Sequence, residues 1–189
     1  MIIDLKELIN DDLFYDYFSY KVRNAQGKPK TSLKGFPIKG NVGYIGYDFY
    51  CDYLSMIFHS KITPHVSKII DKQIIPSFCF TRMYFEESRL NFHTDRESCE
   101  ITISHCHYGD PWKIYILEDG FMTEKGVSLY YEGIEKLHGR IGSISNKALY
   151  SFFHWVEKDG KYDKFKYDES EELEKIYNEL EKLSFTFSP

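Results

Sequence analysis

The chain has 189 residues, of which 42% are hydrophobic, 17% aromatic and 28% charged. That length fits one domain, and that balance excludes a disordered or fibrous chain. A net charge of −5 argues against a phosphate-backbone binder, whose affinity comes from clustered Lys and Arg, so nucleic acid is not an expected partner.

No run of about 18 apolar residues occurs, so no membrane helix is expected. The stretch Met1 to Asp12 is too charged for a signal peptide. Cys51, Cys79, Cys99 and Cys106 contain no CxxC pair and read as free thiols of a reducing compartment, so the expected location is cytoplasmic.

The first third reads as helical. Asp4 is the expected N-cap of a helix carrying Leu5, Leu8, Ile9 and Leu13 on one face. Lys21 to Gly46 holds five glycines and two prolines and reads as a loop or substrate lid. Tyr47 to Lys61 returns to helical spacing through Phe49, Tyr50, Tyr53, Leu54 and Ile57. Thr63-Pro64 then reads as a restart, and the short helix after it ends near Asp71.

After Pro76 the period drops to two. Phe78 to Phe85, Glu100 to His107, Lys113 to Leu117, Val127 to Tyr131 and Ala148 to Val156 are β-branched and aromatic. Gly109-Asp110-Pro111 and Asp119-Gly120 are the expected turns. Short antiparallel strands of this kind build a sandwich, barrel or jelly roll. A final helix is expected from Glu169 to Leu183, with Leu173, Ile176, Tyr177, Leu180 and Leu183 on one side and the acidic run Asp168 to Glu174 as a solvated face.

Three features of the β half carry chemistry. His93 and Asp95 are two apart, so on an extended segment they point the same way. His138 follows a strand-like run, and the basic residues Arg140 and Lys147 lie beyond it. Two histidines and one carboxylate match the facial triad of non-haem Fe(II) oxygenases. The same spacing also fits a turn before a strand with Asp95 as a cap, and the residues alone leave both readings open.

Longer runs give the context. Arg82-Met83-Tyr84, a turn, then Leu90-Asn91-Phe92-His93-Thr94-Asp95 resembles the R-x-Y, turn, L-x-x-H-x-D pattern of prolyl-4-hydroxylase-like 2-oxoglutarate/Fe(II) dioxygenases of small bacterial and phage type. Gly126-Val127-Ser128-Leu129-Tyr130-Tyr131-Glu132-Gly133, followed by His138-Gly139-Arg140, resembles their G-D-x-x-x-Y-x-G-x-x-x-x-H-x-R run. The resemblance spans residues 76–160. It departs at Val127, where the family has Asp, and at Glu86-Glu87-Ser88, where the family turn contains Gly.

The resemblance implies a mainly β fold, a double-stranded β-helix (jelly roll), as a single domain over residues 1–189. Residues 1–75 would supply N-terminal helices packed on one sheet and a possible lid, residues 76–160 the jelly-roll core, and residues 161–189 a C-terminal helix. It implies Fe(II) held by His93, Asp95 and His138. It implies 2-oxoglutarate as co-substrate, with its far carboxylate on Lys147, nine residues after His138, or else on Arg140, and a hydroxyl contact from Tyr84. The implied reaction consumes O2 and yields succinate, with ascorbate as the expected reductant. Related halogenases have a small residue where Asp95 stands, so its presence favours hydroxylation. A small-molecule or peptide substrate, peptidyl-prolyl or amino-acid-like, is the expectation. The alternative is a non-catalytic jelly-roll protein that binds a metal or ligand.

The remaining candidates are assigned bland roles. His105 and His107 share a face with Ile101 and Ile103 and read as packing, with Thr102, Ser104 and Cys106 facing the pocket. His154 reads as packing, His59 and His65 as helix residues, and Arg96 as a substrate contact or a partner of Glu97 or Glu100.

Overall fold

The structure, a computed structural model, describes residues 1–24 and 46–184. In chain order its elements are β1 (Ile2–Ile3), α1 (Asp11–Asn24), β2 (Gly46–Tyr50), α2 (Tyr53–Ile70), β3 (Ile74–Tyr84), β4 (Leu90–His93), β5 (Ile101–Tyr108), β6 (Trp112–Ile116), β7 (Asp119–Thr123), β8 (Ser128–Tyr131), β9 (His138–Arg140), β10 (Ala148–Glu157) and α3 (Glu171–Ser184). The strands form two antiparallel sheets, a major one ordered β1-β8-β5-β10-β3-β2 and a minor one ordered β4-β9-β6-β7. Their face-to-face arrangement is the expected jelly roll.

Strands buried on both faces explain the largely apolar sequences of β3 and β10, whereas β5, equally buried, interleaves Thr102, Ser104, His105 and His107. Alternation then sorts each strand's side chains. On β3, Cys79, Thr81 and Met83 face outward, and on β10 Leu149, Phe153 and Trp155 do the same. There they meet Phe14 and Phe18 of α1, Met56, Ile62 and Val66 of α2, and Tyr177 of α3 in one large core. Facing the minor sheet, Tyr84, Cys106, Trp112, Tyr150 and Phe152 form a second cluster, and Ile114, Ile116, Leu129 and Tyr131 a third. Helices α1, α2 and α3 therefore cover the outer face of the major sheet, and the space between the sheets is left for chemistry.

Several local expectations give way to tertiary pairing. The helix capped by Asp4 does not form: β1 pairs with the edge of β8, Leu5 anchors a tight turn, and α1 begins at Asp11 with Asn10 Oδ1 accepting from the Leu13 amide at 3.0 Å. Leu5 and Ile9 are still buried. Tyr47 to Tyr50 is strand rather than helix, because β2 pairs along its full length with β3 and buries Tyr47 and Phe49 on alternate positions. Of the expected loop or lid, residues 25–45 lie outside the described residues, Lys21 to Asn24 belong to α1, and Gly46 opens β2.

Nor does Thr63-Pro64 restart a helix. A proline inside a helix costs about 3 kcal/mol, yet α2 runs unbroken from its Asp52 cap to Asp71, which closes it in the left-handed region at φ 54. Ile62 and Val66 flank the proline and are fully buried, and the Thr63 hydroxyl donates to His59 O at 2.7 Å while accepting from Trp155 Nε1 at 2.8 Å. Asp119-Gly120 opens β7 and is not the turn. Leu117 and Glu118 make that two-residue turn, with Leu117 at φ 54. Glu87 holds φ 70 in the turn where the resembling family carries glycine. At the C-terminal end, the Tyr177 hydroxyl shares a 2.7 Å hydrogen bond with His59 Nδ1 and so pins α3 to α2, while Leu183 is exposed.

Candidate metal centre between the sheets

His93 and His138 face each other as directly paired residues of β4 and β9. Each ring is fixed from behind: His93 Nδ1 lies 2.8 Å from Asn91 O, and His138 Nδ1 lies 2.8 Å from Lys136 O. A carbonyl only accepts, so both Nδ1 atoms carry the proton and both Nε2 atoms present a lone pair. Those lone pairs converge on one carboxylate, with His93 Nε2 3.5 Å from Asp95 Oδ1 and His138 Nε2 3.6 Å from Asp95 Oδ2. Such gaps are too long for good hydrogen bonds. They suit a cation with ligand distances of about 2.1 Å.

Asp95 lies in the loop beyond β4, tied by its amide to Gly133 O at 2.9 Å. Gly133 has to be glycine, because a Cβ there would lie 2.3 Å from Asp95 Oδ2. Burial pushes the Asp95 carboxyl up, but the His93 contact and the charges of His138 and His154 outweigh it and leave it below the usual value. The Asp95 carboxylate raises His93, whereas desolvation lowers His138.

Deeper between the sheets lies Arg140, on the same face of β9 as His138 and 5% exposed. Its Nη1 donates to Trp112 O and, at 3.0 Å, to Thr123 Oγ1; its guanidinium lies 4.4 Å from the Trp112 ring centre and 4.8 Å from that of Tyr150. Among the described residues no carboxylate pairs with it. Burying a lone guanidinium is costly unless an anion joins it. Tyr84 stands beside this chamber, edge-on to Trp112 and Tyr150, and its hydroxyl accepts from Arg82 Nη1 at 3.4 Å. Ser104 Oγ and Trp112 Nε1, also buried here, have no hydrogen-bond partner among the described residues.

Lys147 is elsewhere. Its ammonium sits over the rings of Tyr15 and Tyr108, 5.1 and 5.5 Å from their centres, on the side of the major sheet that α1 covers. The first choice for a carboxylate anchor thus stands apart from the cluster: a residue count from His138 does not report which face the chain returns to, and Lys147 falls in the turn before β10. Arg96 meets neither Glu97 nor Glu100; it forms a bidentate pair with Asp168 at 2.9 and 3.1 Å and lies over Phe78. Asp168, which also accepts from the Tyr50 hydroxyl, is therefore a tether rather than part of a solvated face.

Two groups of this interior escape sequence reasoning. Arg82 makes a bidentate pair with Asp48 of β2, at 2.5 and 2.8 Å, which required knowing that residues 46–50 are strand. His154 projects inward from β10, stacked on Phe78, with Nδ1 3.0 Å from Thr102 Oγ1 and Nε2 unpartnered. Burial pushes its pKa down to about 4. The inward position follows from alternation with Phe152, a signal present in the sequence. Phe78, Phe80 and Phe152 extend the same wall as nearly parallel rings.

No helix among the described residues is long and apolar enough to cross a membrane. No protein-family model and no curated protein matches the chain. Solved structures do. A viral collagen prolyl hydroxylase from Paramecium Bursaria Chlorella virus-1, in complex with 2-oxoglutarate, aligns over 82% of this chain and 94% of its own at 10% identity and TM-score 0.57. The α-ketoglutarate-dependent epimerase SnoN of nogalamycin biosynthesis aligns over 79% and 76% at 7% identity and TM-score 0.56. HygX from Streptomyces hygroscopicus, with nickel and 2-oxoglutarate bound, aligns over 84% and 82% at 10% identity and TM-score 0.55. At such identities the likeness is one of fold: the two-sheet jelly roll of this chain is the one these structures share.

Proposed function

We propose that this chain is an Fe(II)- and 2-oxoglutarate-dependent oxygenase, with His93, Asp95 and His138 as metal ligands and Arg140 as the anchor of the 2-oxoglutarate far carboxylate. The observation that carries the reading is the buried, anion-less Arg140 on the same strand face as His138. It supplies a positive charge a short way from a two-histidine, one-carboxylate cluster, which suits a dianion bound to the metal at one end. A ferrous ion and 2-oxoglutarate bound there supply the activation of O2, with release of succinate and CO2.

The chain's own residues hold and shield that chemistry. The carbonyls of Asn91 and Lys136 accept from the two Nδ1–H groups and so aim both Nε2 atoms at the metal position. Thr123 and the Trp112 carbonyl orient Arg140, and Trp112, Tyr84 and Tyr150 keep water from the carboxylate it binds. Toward the opposite end of β3 and β10, the flat wall of Phe78, Phe80 and Phe152 suits a compact apolar ring. Together with the likeness to a collagen prolyl hydroxylase, this favours hydroxylation of a peptidyl-prolyl or similar amino-acid-like substrate.

The test starts with the anaerobic protein plus Fe(II) and 2-oxoglutarate. A metal-to-ligand charge-transfer band should appear, and admitting O2 with ascorbate should give succinate that is absent in His138→Ala. Absence of both band and succinate in the intact protein would remove the oxygenase reading in favour of a jelly-roll binding protein.

A further inference from the structure

The outer face of the major sheet carries a second cluster with the same donor set. His105 and His107, two apart on β5, point at α1, where Asp11 is the first helical residue. Asp11 Oδ1 lies 2.7 Å from His105 Nε2 and 2.8 Å from His107 Nδ1. Both histidines are fully buried, while the Asp11 side chain keeps 14% exposure and so leaves one route from solvent. Among the described residues no Lys or Arg pairs with this carboxylate; nearby Lys125 pairs with Asp12 instead. A largely buried carboxylate carries a negative charge that a bound cation would compensate.

We propose that Asp11, His105 and His107 form a second metal site, which takes a divalent transition ion of the Zn(II) class between α1 and β5. Two imidazole nitrogens and one carboxylate oxygen favour Zn(II) over hard Mg(II) or Ca(II), and a water reaching in beside Asp11 completes four-coordination. Tetrahedral ligands at about 2.1 Å from an ion lie about 3.4 Å apart, so the donor atoms part by about 0.7 Å from their present hydrogen-bonded separations to admit it.

The far side of each ring is built for the exchange. His105 Nδ1 is 2.6 Å from Ser128 Oγ, and His107 Nε2 is 2.8 Å from Ser151 Oγ. Without metal, His105 Nε2–H and His107 Nδ1–H donate to the carboxylate, and the serine hydroxyls donate to the far nitrogens. With metal, each ring proton moves to the far nitrogen, which then donates to its serine. A hydroxyl both donates and accepts, so each serine reverses role by rotation. The Ser151 proton turns to Thr81 Oγ1 at 2.6 Å, and that of Thr81 to Ser55 Oγ at 2.8 Å. No proton need be released: the ion enters, each ring keeps one hydrogen, and the cluster charge rises from −1 to +1. The site is independent of the oxygenase reading.

The test uses Zn(II) alone on the metal-free full chain carrying Asp95→Ala and His138→Ala, which removes the inner cluster. Equilibrium dialysis should find about one Zn(II) per chain, weakened at least 100-fold by adding Asp11→Asn. In 15N-histidine-labelled protein, NMR should show His105 passing from Nε2–H to Nδ1–H, and His107 from Nδ1–H to Nε2–H, as Zn(II) is added. Binding of no Zn(II), or binding without these tautomer exchanges, overturns the proposal. If the variants do not fold, the unaltered metal-free chain decides by the same NMR titration, where unmoved His105 and His107 resonances at two equivalents of Zn(II) overturn it.

Discussion

Replacing Arg140 by methionine separates the charge of that side chain from its bulk. Methionine keeps an unbranched stem between Trp112 and Tyr150 but removes the guanidinium and its bonds to Trp112 O and Thr123 Oγ1. In the protein without 2-oxoglutarate two terms oppose each other. Losing a buried, anion-less charge is favourable, while losing the two guanidinium bonds costs roughly 1–3 kcal/mol, Trp112 O keeping its 2.6 Å bond from the Thr123 hydroxyl. Stability should therefore move by no more than about 1–2 kcal/mol. Binding of 2-oxoglutarate should respond far more. A charge-assisted contact to a buried carboxylate is worth about 3 kcal/mol, which is about 100-fold in Kd. Titrating 2-oxoglutarate into the anaerobic Fe(II) protein and following the charge-transfer band measures that shift. Lys147→Ala is the control: its ammonium rests on Tyr15 and Tyr108, outside the space between the sheets, so Kd should stay within about twofold. A Kd unchanged in Arg140→Met, or raised more by Lys147→Ala, would refute the assignment.

Gly133→Ala places a methyl group against Asp95 Oδ2, Cys99 O and Thr102 Oγ1, so the carboxylate must turn away. Metal affinity of the inner cluster should fall about 10- to 100-fold, readable by dialysis, and unchanged affinity would show that Asp95 is not a ligand. Stability of the metal-free protein should fall as pH drops below 6.5. His154 binds its proton near pH 6.5 when unfolded but only near pH 4 when folded, because burial lowers it. The unfolded state thus takes up more protons in that window, and the stability present above pH 6.5 is lost as pH falls toward 4. The loss from this one residue is about 2 kcal/mol at pH 5. Buried His59 shifts in the same direction. Urea midpoints that stay level from pH 7 to pH 5 would contradict this.

The β half was legible because strands buried on both faces leave aromatic and β-branched runs separated by turn residues. The His93–Asp95 spacing was equally plain, since two residues on an extended segment share a direction. Tyr47 to Tyr50 misled because aromatic residues three and four apart fit a helix as well as a strand, and only pairing with β3 decides. Pro64 looked like a boundary because propensity acts locally, while the burial of Ile62 and Val66 holds α2 together from outside. Lys147 was assigned by counting along the chain, and counting does not register which side of a sheet a turn delivers. Asp11 is 94 residues from His105, so no local pattern connects them.

One pairing ties metal chemistry to the assembly of the barrel. β4 is a four-residue edge strand, matched to β9 only at Leu90–Arg140 and His93–His138, with an irregularity between. An edge with so few rungs frays readily. On the proposed assignment, an ion gripped by His93 and His138 would be a further rung at this point of the ladder, and Asp95 would extend its hold to the loop before β9 through Gly133. Metal loading would then be coupled to closure of the minor sheet at this edge, so that the ion steadies the margin of the barrel as well as the chemistry.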